Sequence, residues 1–275
     1  MIVFPNCKIN LGLRILRKRD DGFHELETIF YPTPVHDVVE ILPLENEPCG
    51  TVQFKQTGIT VQGPANQNLC VKAYQQLLEK IPTLPAVYIH LHKNIPLGAG
   101  LGGGSADGVF TLLALQKMFE ISLPSAQNQA IALQLGSDCP FFLHQEAALG
   151  KGRGEQLTPL SLTLSGFQML LVHPGFSIST AEAFQGIKPT DEGDSLAETI
   201  KRPIEEWKDI LVNQFEDTIF LKHPELEKIK KNLYKMGALY AAMSGSGSTM
   251  FGIFPPTATK PEHEPYPWVQ WKKIP

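Results

Sequence analysis

Hydrophobic residues along the chain keep two rhythms. Alternating or clustered apolar runs at Ile2 to Phe4, Asp37 to Leu42, Thr51 to Phe54, Val87 to Leu91, Gln168 to His173 and Thr249 to Phe254 predict strands. Segments with helical spacing separate them. Ala73, Leu77 and Ile81 stand four apart in Leu69 to Ile81. Ser105 to Phe119 carries Val109, Leu112, Leu113, Gln116 and Phe119, and Ser125 to Leu135 is a third helix. Ile204, Trp207, Ile210, Leu211 and Phe215 predict a fourth, and Leu226, Ile229, Leu233 and Met236 a fifth. Helices mixed with hairpin-like strands indicate an α+β chain more than a doubly wound sheet. The Gly-Lys-Gly-Arg-Gly run at Gly150 to Gly154 is the candidate boundary between domains 1–154 and 155–275. Lys188 to Glu198 reads as a solvated acidic loop. The prolines after Phe254 read as an irregular tail.

Composition narrows the function classes. With 275 residues, 43% hydrophobic and 19% charged, the chain can bury a core in about two domains. A net charge of -4 favours neither a nucleic acid nor an anionic membrane surface. Cys7, Cys49, Cys70 and Cys139 form no C-x-x-C pair and read as free thiols of a reducing compartment. No basic region followed by an apolar stretch opens the chain. The uncharged stretch Gln156 to Ala181 contains Pro159, Pro174, Gly166 and Gly175, so no membrane span is expected and the expected location is cytoplasmic.

The most informative segment is Pro96-Leu97-Gly98-Ala99-Gly100-Leu101-Gly102-Gly103-Gly104-Ser105-Ala106-Asp107, set between a strand pattern and an amphipathic helix. Glycines let a backbone approach a ligand and turn successive N–H groups inward, and the following helix adds its unpaired amides and positive dipole end. That favours a phosphate over a plain linker. Gly98-x-Gly100-x-x-Gly103 matches the dinucleotide fingerprint formally, but Glu120 falls near a helix end rather than after a second strand. The loop also lacks the lysine of a P-loop, so cationic help for the phosphates must come from elsewhere. Asp107 is the nearest carboxylate for a metal and could equally cap the helix.

Two further segments, Pro5-Asn6-Cys7-Lys8-Ile9-Asn10-Leu11-Gly12-Leu13 and Met243-Ser244-Gly245-Ser246-Gly247-Ser248-Thr249, complete a trio with this loop. In order and spacing the three resemble the signature motifs of the GHMP kinases. Asp21-Gly22-Phe23-His24 and Gly136-Ser137-Asp138-Cys139-Pro140 resemble the branch that phosphorylates a cytidine diphosphate-linked methylerythritol in the non-mevalonate route to isoprenoids. The resemblance implies an N-terminal α/β ATP-binding domain and a C-terminal ferredoxin-like domain. It implies ATP as phosphoryl donor, with Mg²⁺, and the 2-hydroxyl of that alcohol as acceptor.

By the same resemblance Asp138 is the general base; without it, Asp138 reads first as a turn or cap residue before Pro140. Lys8 sits among apolar residues, where an anionic partner is expected, and the resemblance assigns it to Asp138 and the acceptor hydroxyl. Pro96 to Ala106 cradles the phosphates, with Ser105 near phosphate or Mg²⁺. Asn66 and Asn68 face adenine or ribose, or Asn68 simply caps a helix. Asn10, Phe23, His24, Thr180 and Phe184 form the cytidine side. Ser244, Gly245, Ser246 and Gly247 make a second glycine-rich edge. The chain departs from the family at Phe23, where tyrosine is usual, and at Cys7, where alanine is. His90 and His92 share a strand face without a third ligand and read as ordinary strand residues. Other acceptors (a sugar, homoserine or a mevalonate-type alcohol) and a non-catalytic nucleotide sensor are the competing readings, and either a monomer or a homodimer is compatible with the sequence.

Overall fold

The computed structural model describes residues 1–191, 193–261 and 265–275. In chain order the strands are β1 (Ile2–Val3), β2 (Asn6–Lys18), β3 (His24–His36), β4 (Val38–Pro43), β5 (Val52–Gly58), β6 (Val87–Lys93), β7 (Ala148–Lys151), β8 (Gln156–Pro159), β9 (Gln168–His173), β10 (Tyr240–Met243), β11 (Met250–Phe254) and β12 (Trp268–Lys273). The helices are α1 (Leu69–Lys80), α2 (Gly103–Met118), α3 (Ser125–Leu135), α4 (Thr180–Phe184), α5 (Leu196–Thr199), α6 (Trp207–Ile210), α7 (Glu216–Lys222) and α8 (Pro224–Lys235). Short 3-10 turns occupy Ala65–Gln67, Cys139–Leu143 and Ile204–Glu206. The expected mixture of helices and antiparallel strands is present.

Contacts divide the chain into two compact units. The first holds residues 1–7, 36–97 and 102–145, and the second residues 8–35, 98–101 and 146–275. The first unit is a sheet in the order β1-β4-β6-β5, antiparallel except for the β5–β6 pair. Side chains alternate across a strand, and here Val39, Ile41, Val87, Ile89 and Leu91 take the buried face. Helices α1 and α2 pack together and contribute Ala73, Tyr74, Leu77, Val109, Leu112 and Leu115 to the core. Each fully buried aliphatic side chain of this kind contributes about 1.5–3 kcal/mol. Lys93, the last residue of β6, stays in phase with the buried face.

The second unit carries two sheets, β2-β3-β7-β8 and β10-β11-β9-β12. In the latter, α8 lies on β10 and β11 through Leu226, Ile229 and Leu233. Three expectations change. The predicted helix from Ile204 to Phe215 is a 3-10 turn and the single turn of α6, ending before Asn213. The Asn213 amide is buried and donates to the carbonyls of Met243 and Gly245, so the chain leaves the helix to serve that turn. The acidic loop contains the short α5, capped by Ser195. The proline-rich end returns as β12, whose residues pair with β9 from His173 to Gln168; the intervening residues 262–264 lie outside the described part.

Candidate active site

In the second unit, parts of the three glycine- and lysine-containing motifs meet at one backbone oxygen. The Gly100 carbonyl accepts from Lys8 Nζ at 2.9 Å and from Ser244 Oγ at 2.9 Å. Strand β2 places Lys8 and Asn10 on the same face, two residues apart, and both are buried. Lys8 Nζ also donates to Asn10 Oδ1 at 2.7 Å and lies 5.3 Å from the centre of the Phe30 ring. The Asn10 amide in turn donates to Thr28 Oγ1 at 2.9 Å, which fixes the orientation of its oxygen toward the ammonium. A buried ammonium is costly unless its protons are taken, and here carbonyl and amide oxygens take two of them.

Gly100 has no freedom to be anything larger. It sits at φ +76°, and an added Cβ would fall 1.9 Å from the Ser244 carbonyl oxygen. Gly98, Gly100 and Gly102 all have positive φ while the residues between them do not, an alternation that turns successive amides to one side. Ser244 to Gly247 form the tight turn between β10 and β11, closed by Gly247 N donating to Ser244 O at 3.0 Å. Gly245 and Gly247 are left-handed there as well.

The aromatic loop after β2 is tied by local side-chain bonds. Asp21 takes a forked ion pair from Arg19 and accepts from the Phe23 amide at 3.1 Å, so its carboxyl is held below the usual range, chiefly by the Arg19 hydrogen bonds. Phe23 is left 53% exposed, with the Arg153 guanidinium 4.9 Å from its ring centre. His24 stacks on Phe184 at 4.5 Å, and Phe184 meets Phe215 edge-on at 4.9 Å. Phe184 therefore packs against both the core and the His24 ring. Thr180 is exposed at the start of α4.

The first unit holds the remaining predicted residues. Gly102 caps α2 in the left-handed region, and no side chain caps the helix, so its first amides point out unsatisfied by any capping group. Gly104 differs from Gly100: an added Cβ would meet only Leu97 Cδ2, at 3.9 Å. Ala106 is fully buried, and Ser105 hydrogen-bonds the Cys139 thiol, whose pKa burial pushes up to about 12. Pro96 is buried and Leu97 partly so, ahead of the exposed Gly98. Asp138 is half-buried at the head of the Cys139–Leu143 turn and makes no capping hydrogen bond to it. Asn68 does cap α1, accepting from Cys70 N at 2.9 Å, whereas Asn66 is exposed in the preceding turn.

Asp107 is neither helix cap nor open carboxylate. It is buried, and Lys93 Nζ donates to its Oδ2 at 2.7 Å and to Asp37 Oδ2. Burial raises the Asp107 pKa to about 7 against the opposing pull of Lys93. Burial alone would lower the Lys93 pKa, but the two carboxylates leave it above the ordinary lysine value. This cluster was missed in the sequence. The signal was present in the phase of β6, where Lys93 continues the inward series Val87, Ile89, Leu91. Elsewhere in the second unit an open cavity of about 390 Å³ is lined by Arg14, Arg202, Gln214 and Asp217 among others, and by no predicted site residue. Among the described residues no three His, Cys, Asp or Glu side chains cluster as a metal site, and no helix is long and apolar enough to cross a membrane.

Comparison with known proteins agrees with the three motifs. The signature of the GHMP kinases N terminal domain matches residues 68–146, and that of GHMP kinases C terminal matches residues 195–263. A 4-diphosphocytidyl-2-C-methyl-D-erythritol kinase of Bacteroides thetaiotaomicron is 47% identical over 264 residues, 95% of either chain. The enzyme of the same name from Cytophaga hutchinsonii is 46% identical over 95% of this chain and 94% of its own. A crystal structure of 4-(cytidine 5'-diphospho)-2C-methyl-D-erythritol kinase superposes with a TM-score of 0.79 at 33% identity, covering 92% of this chain and 90% of the other. The Methanococcus jannaschii mevalonate kinase shares the fold at 13% identity, with a TM-score of 0.70 over 94% and 92% of the two chains. The chain belongs to the GHMP kinase family, in its branch of 4-diphosphocytidyl-2-C-methyl-D-erythritol kinases.

Proposed function

We propose that this chain transfers the γ-phosphoryl group of ATP to the 2-hydroxyl of 4-diphosphocytidyl-2-C-methyl-D-erythritol. The acceptor oxygen forms a bond to the γ-phosphorus while the bond to the β,γ-bridging oxygen breaks, and ADP leaves. Such transfer depends on positioning and on stabilising spread charge more than on covalent chemistry. One observation carries the nucleotide half: uncapped amides open α2 beside Gly104, whose missing side chain no neighbour among the described residues requires. The acceptor half is supported by the relatives' names and by the exposed Phe23 beside His24.

Residue roles follow from the chemistry. Asp138 accepts the proton that leaves the 2-hydroxyl. Lys8, seated by Asn10 and Gly100, places its positive charge toward the acceptor oxygen and the moving phosphoryl group. Gly98 to Ser105 present backbone N–H groups to the β- and γ-phosphates, and Ser244 to Gly247 hold that loop in shape through Gly100. Phe23 stacks on cytosine, and His24, Asn10, Thr180 and Phe184 border the same substrate. Asn66 and Asn68 border the nucleoside of ATP. The residues fit a magnesium ion carried mainly by the nucleotide: Ser105 offers one hydroxyl, and Mg²⁺ is ordinarily held by one or two protein groups with phosphates and water. When bound, it neutralises charge on the phosphates.

A coupled ADP-release assay tests the proposal with the cytidine diphosphate-linked alcohol, mevalonate, homoserine and galactose as acceptors. The first should exceed the others by roughly 10⁴-fold in kcat/KM, since a pocket built for a base leaves polar groups unpaired without one. Faster turnover of any of the other three would reassign the acceptor.

A further inference from the structure

The glycine loop is strung between the end of β6 and the start of α2, and a buried ionic cluster ties those ends together. Lys93 and Asp107, fourteen residues apart, meet at 2.7 Å. Asp37, just before β4, reaches both the cluster and the loop. Its Oδ2 accepts from Lys93 Nζ, while its Oδ1 accepts from the amides of Asn94 at 2.5 Å and Ile95 at 2.8 Å, the first two loop residues. The Lys93 and Asp37 side chains are wholly buried, and Asp107 is 3% exposed. Gly103 rests on this cluster, since an added Cβ would lie 2.9 Å from Ile95 Cγ2 and 3.1 Å from Lys93 Nζ.

Three buried charges are a poor way to gain stability, because desolvation offsets their attraction and apolar replacements often do as well. They do fix geometry, since an ammonium has few places to sit between two carboxylates. Pinning the two ends also removes, before any ligand arrives, conformational freedom the loop would otherwise lose on binding.

We propose that Asp37, Lys93 and Asp107 are positioning residues for the nucleotide loop, setting the spacing of its two ends and thereby the affinity for ATP. This rests on the reading of the loop as the phosphate cradle. Asp37 holds the entering strand by two amides, Lys93 carries that hold to the helix, and Asp107 sets the first turns of α2.

Calorimetric titration with MgATP, alongside steady-state kinetics, tests it in Asp107→Leu and Asp107→Asn. The leucine variant cuts the link from Lys93 to α2, leaving Lys93 tied to Asp37 alone, and should bind MgATP at least roughly tenfold more weakly, with KM for the alcohol within about twofold of the parent. The asparagine variant keeps an acceptor oxygen and should recover most of the affinity. A folded Asp107→Leu that binds MgATP like the parent overturns the proposal, as does equal loss for both substrates. Hydrogen exchange on the unaltered, nucleotide-free protein reads the clamp without any substitution. The Asn94 and Ile95 amides should be as protected as those of β6, and free exchange there sinks the idea. If the unaltered protein itself fails to bind MgATP, the nucleotide reading falls instead.

Discussion

Gly104→Ala separates a glycine kept for the fold from one kept for a ligand. The new methyl group would find only Leu97 Cδ2, at 3.9 Å, and the residue lies in α2 outside the left-handed region. Alanine is the better helix former by up to about 1 kcal/mol, so the variant should melt at the parent's temperature or up to about 4 °C above it. Nucleotide binding should move the other way. If the Gly104 amide faces a phosphate, a methyl group displaces one charge-assisted hydrogen bond of about 1.5–3 kcal/mol. Against the 1.4 kcal/mol that make a tenfold change, that is a loss of roughly 10- to 100-fold in ATP affinity. Differential scanning calorimetry and titration with MgATP on the same preparation read both effects. An affinity within twofold of the parent would refute the cradle at this position. A melting temperature several degrees lower would show that the space around Gly104 is not free.

Further outcomes are expected. Asp138→Asn should lose roughly 10²–10⁴-fold in kcat while still folding, because asparagine keeps the size of the side chain and removes a general base; turnover at the parental rate excludes Asp138 as base. Phe23→Ala should raise KM for the cytidine substrate about three- to tenfold while leaving that for ATP in place, since the ring is exposed and supports little of the core; equal effects on both substrates would move Phe23 out of the acceptor site. Burial lowers the pKa of His173, and its Nε2 has no hydrogen-bond partner among the described residues. Its neutral form is therefore the folded one, so the associated stability is full above about pH 6.5 and is lost as pH falls toward the lowered folded value. His173→Gln should flatten the fall in melting temperature between pH 7 and pH 5, and an unchanged slope would clear His173 of the acid sensitivity.

Much of the chemistry was legible because glycine and charge leave marks at fixed spacings. The loop from Gly98 to Ser105, the Lys8 and Asn10 pair and the turn at Ser244 all stand out before any coordinates. The first unit's β4 and β6 were readable because one face of each is apolar. The long β2 and β3 were harder, since the first part of β2 and the middle of β3 are buried on both faces and polar residues such as Asn10 and Thr28 interrupt the alternation. The apolar spacing from Ile204 to Phe215 suggested one helix, but Asn213 is drawn out of it to bond two distant carbonyls, a demand set by tertiary contact alone. The prolines near the end masked β12, whose pairing with β9 depends on a strand about a hundred residues earlier. Lys93 escaped notice, and Asp107 was read as a metal carboxylate or a cap, because a lysine on an inward strand phase looks like an error until its two carboxylates are seen together.

The Gly100 carbonyl gathers donors from residues 92 positions before it and 144 after it. A chain emerging from a ribosome therefore has its lysine and glycine loop long before the serine that completes their seating. Until the β10–β11 turn is made, the growing polypeptide lacks one of the two ties on that oxygen. Phosphoryl transfer then begins only with nearly finished molecules, and a proteolytic nick that frees the last third should silence the enzyme while leaving the β6–α2 end of the loop intact.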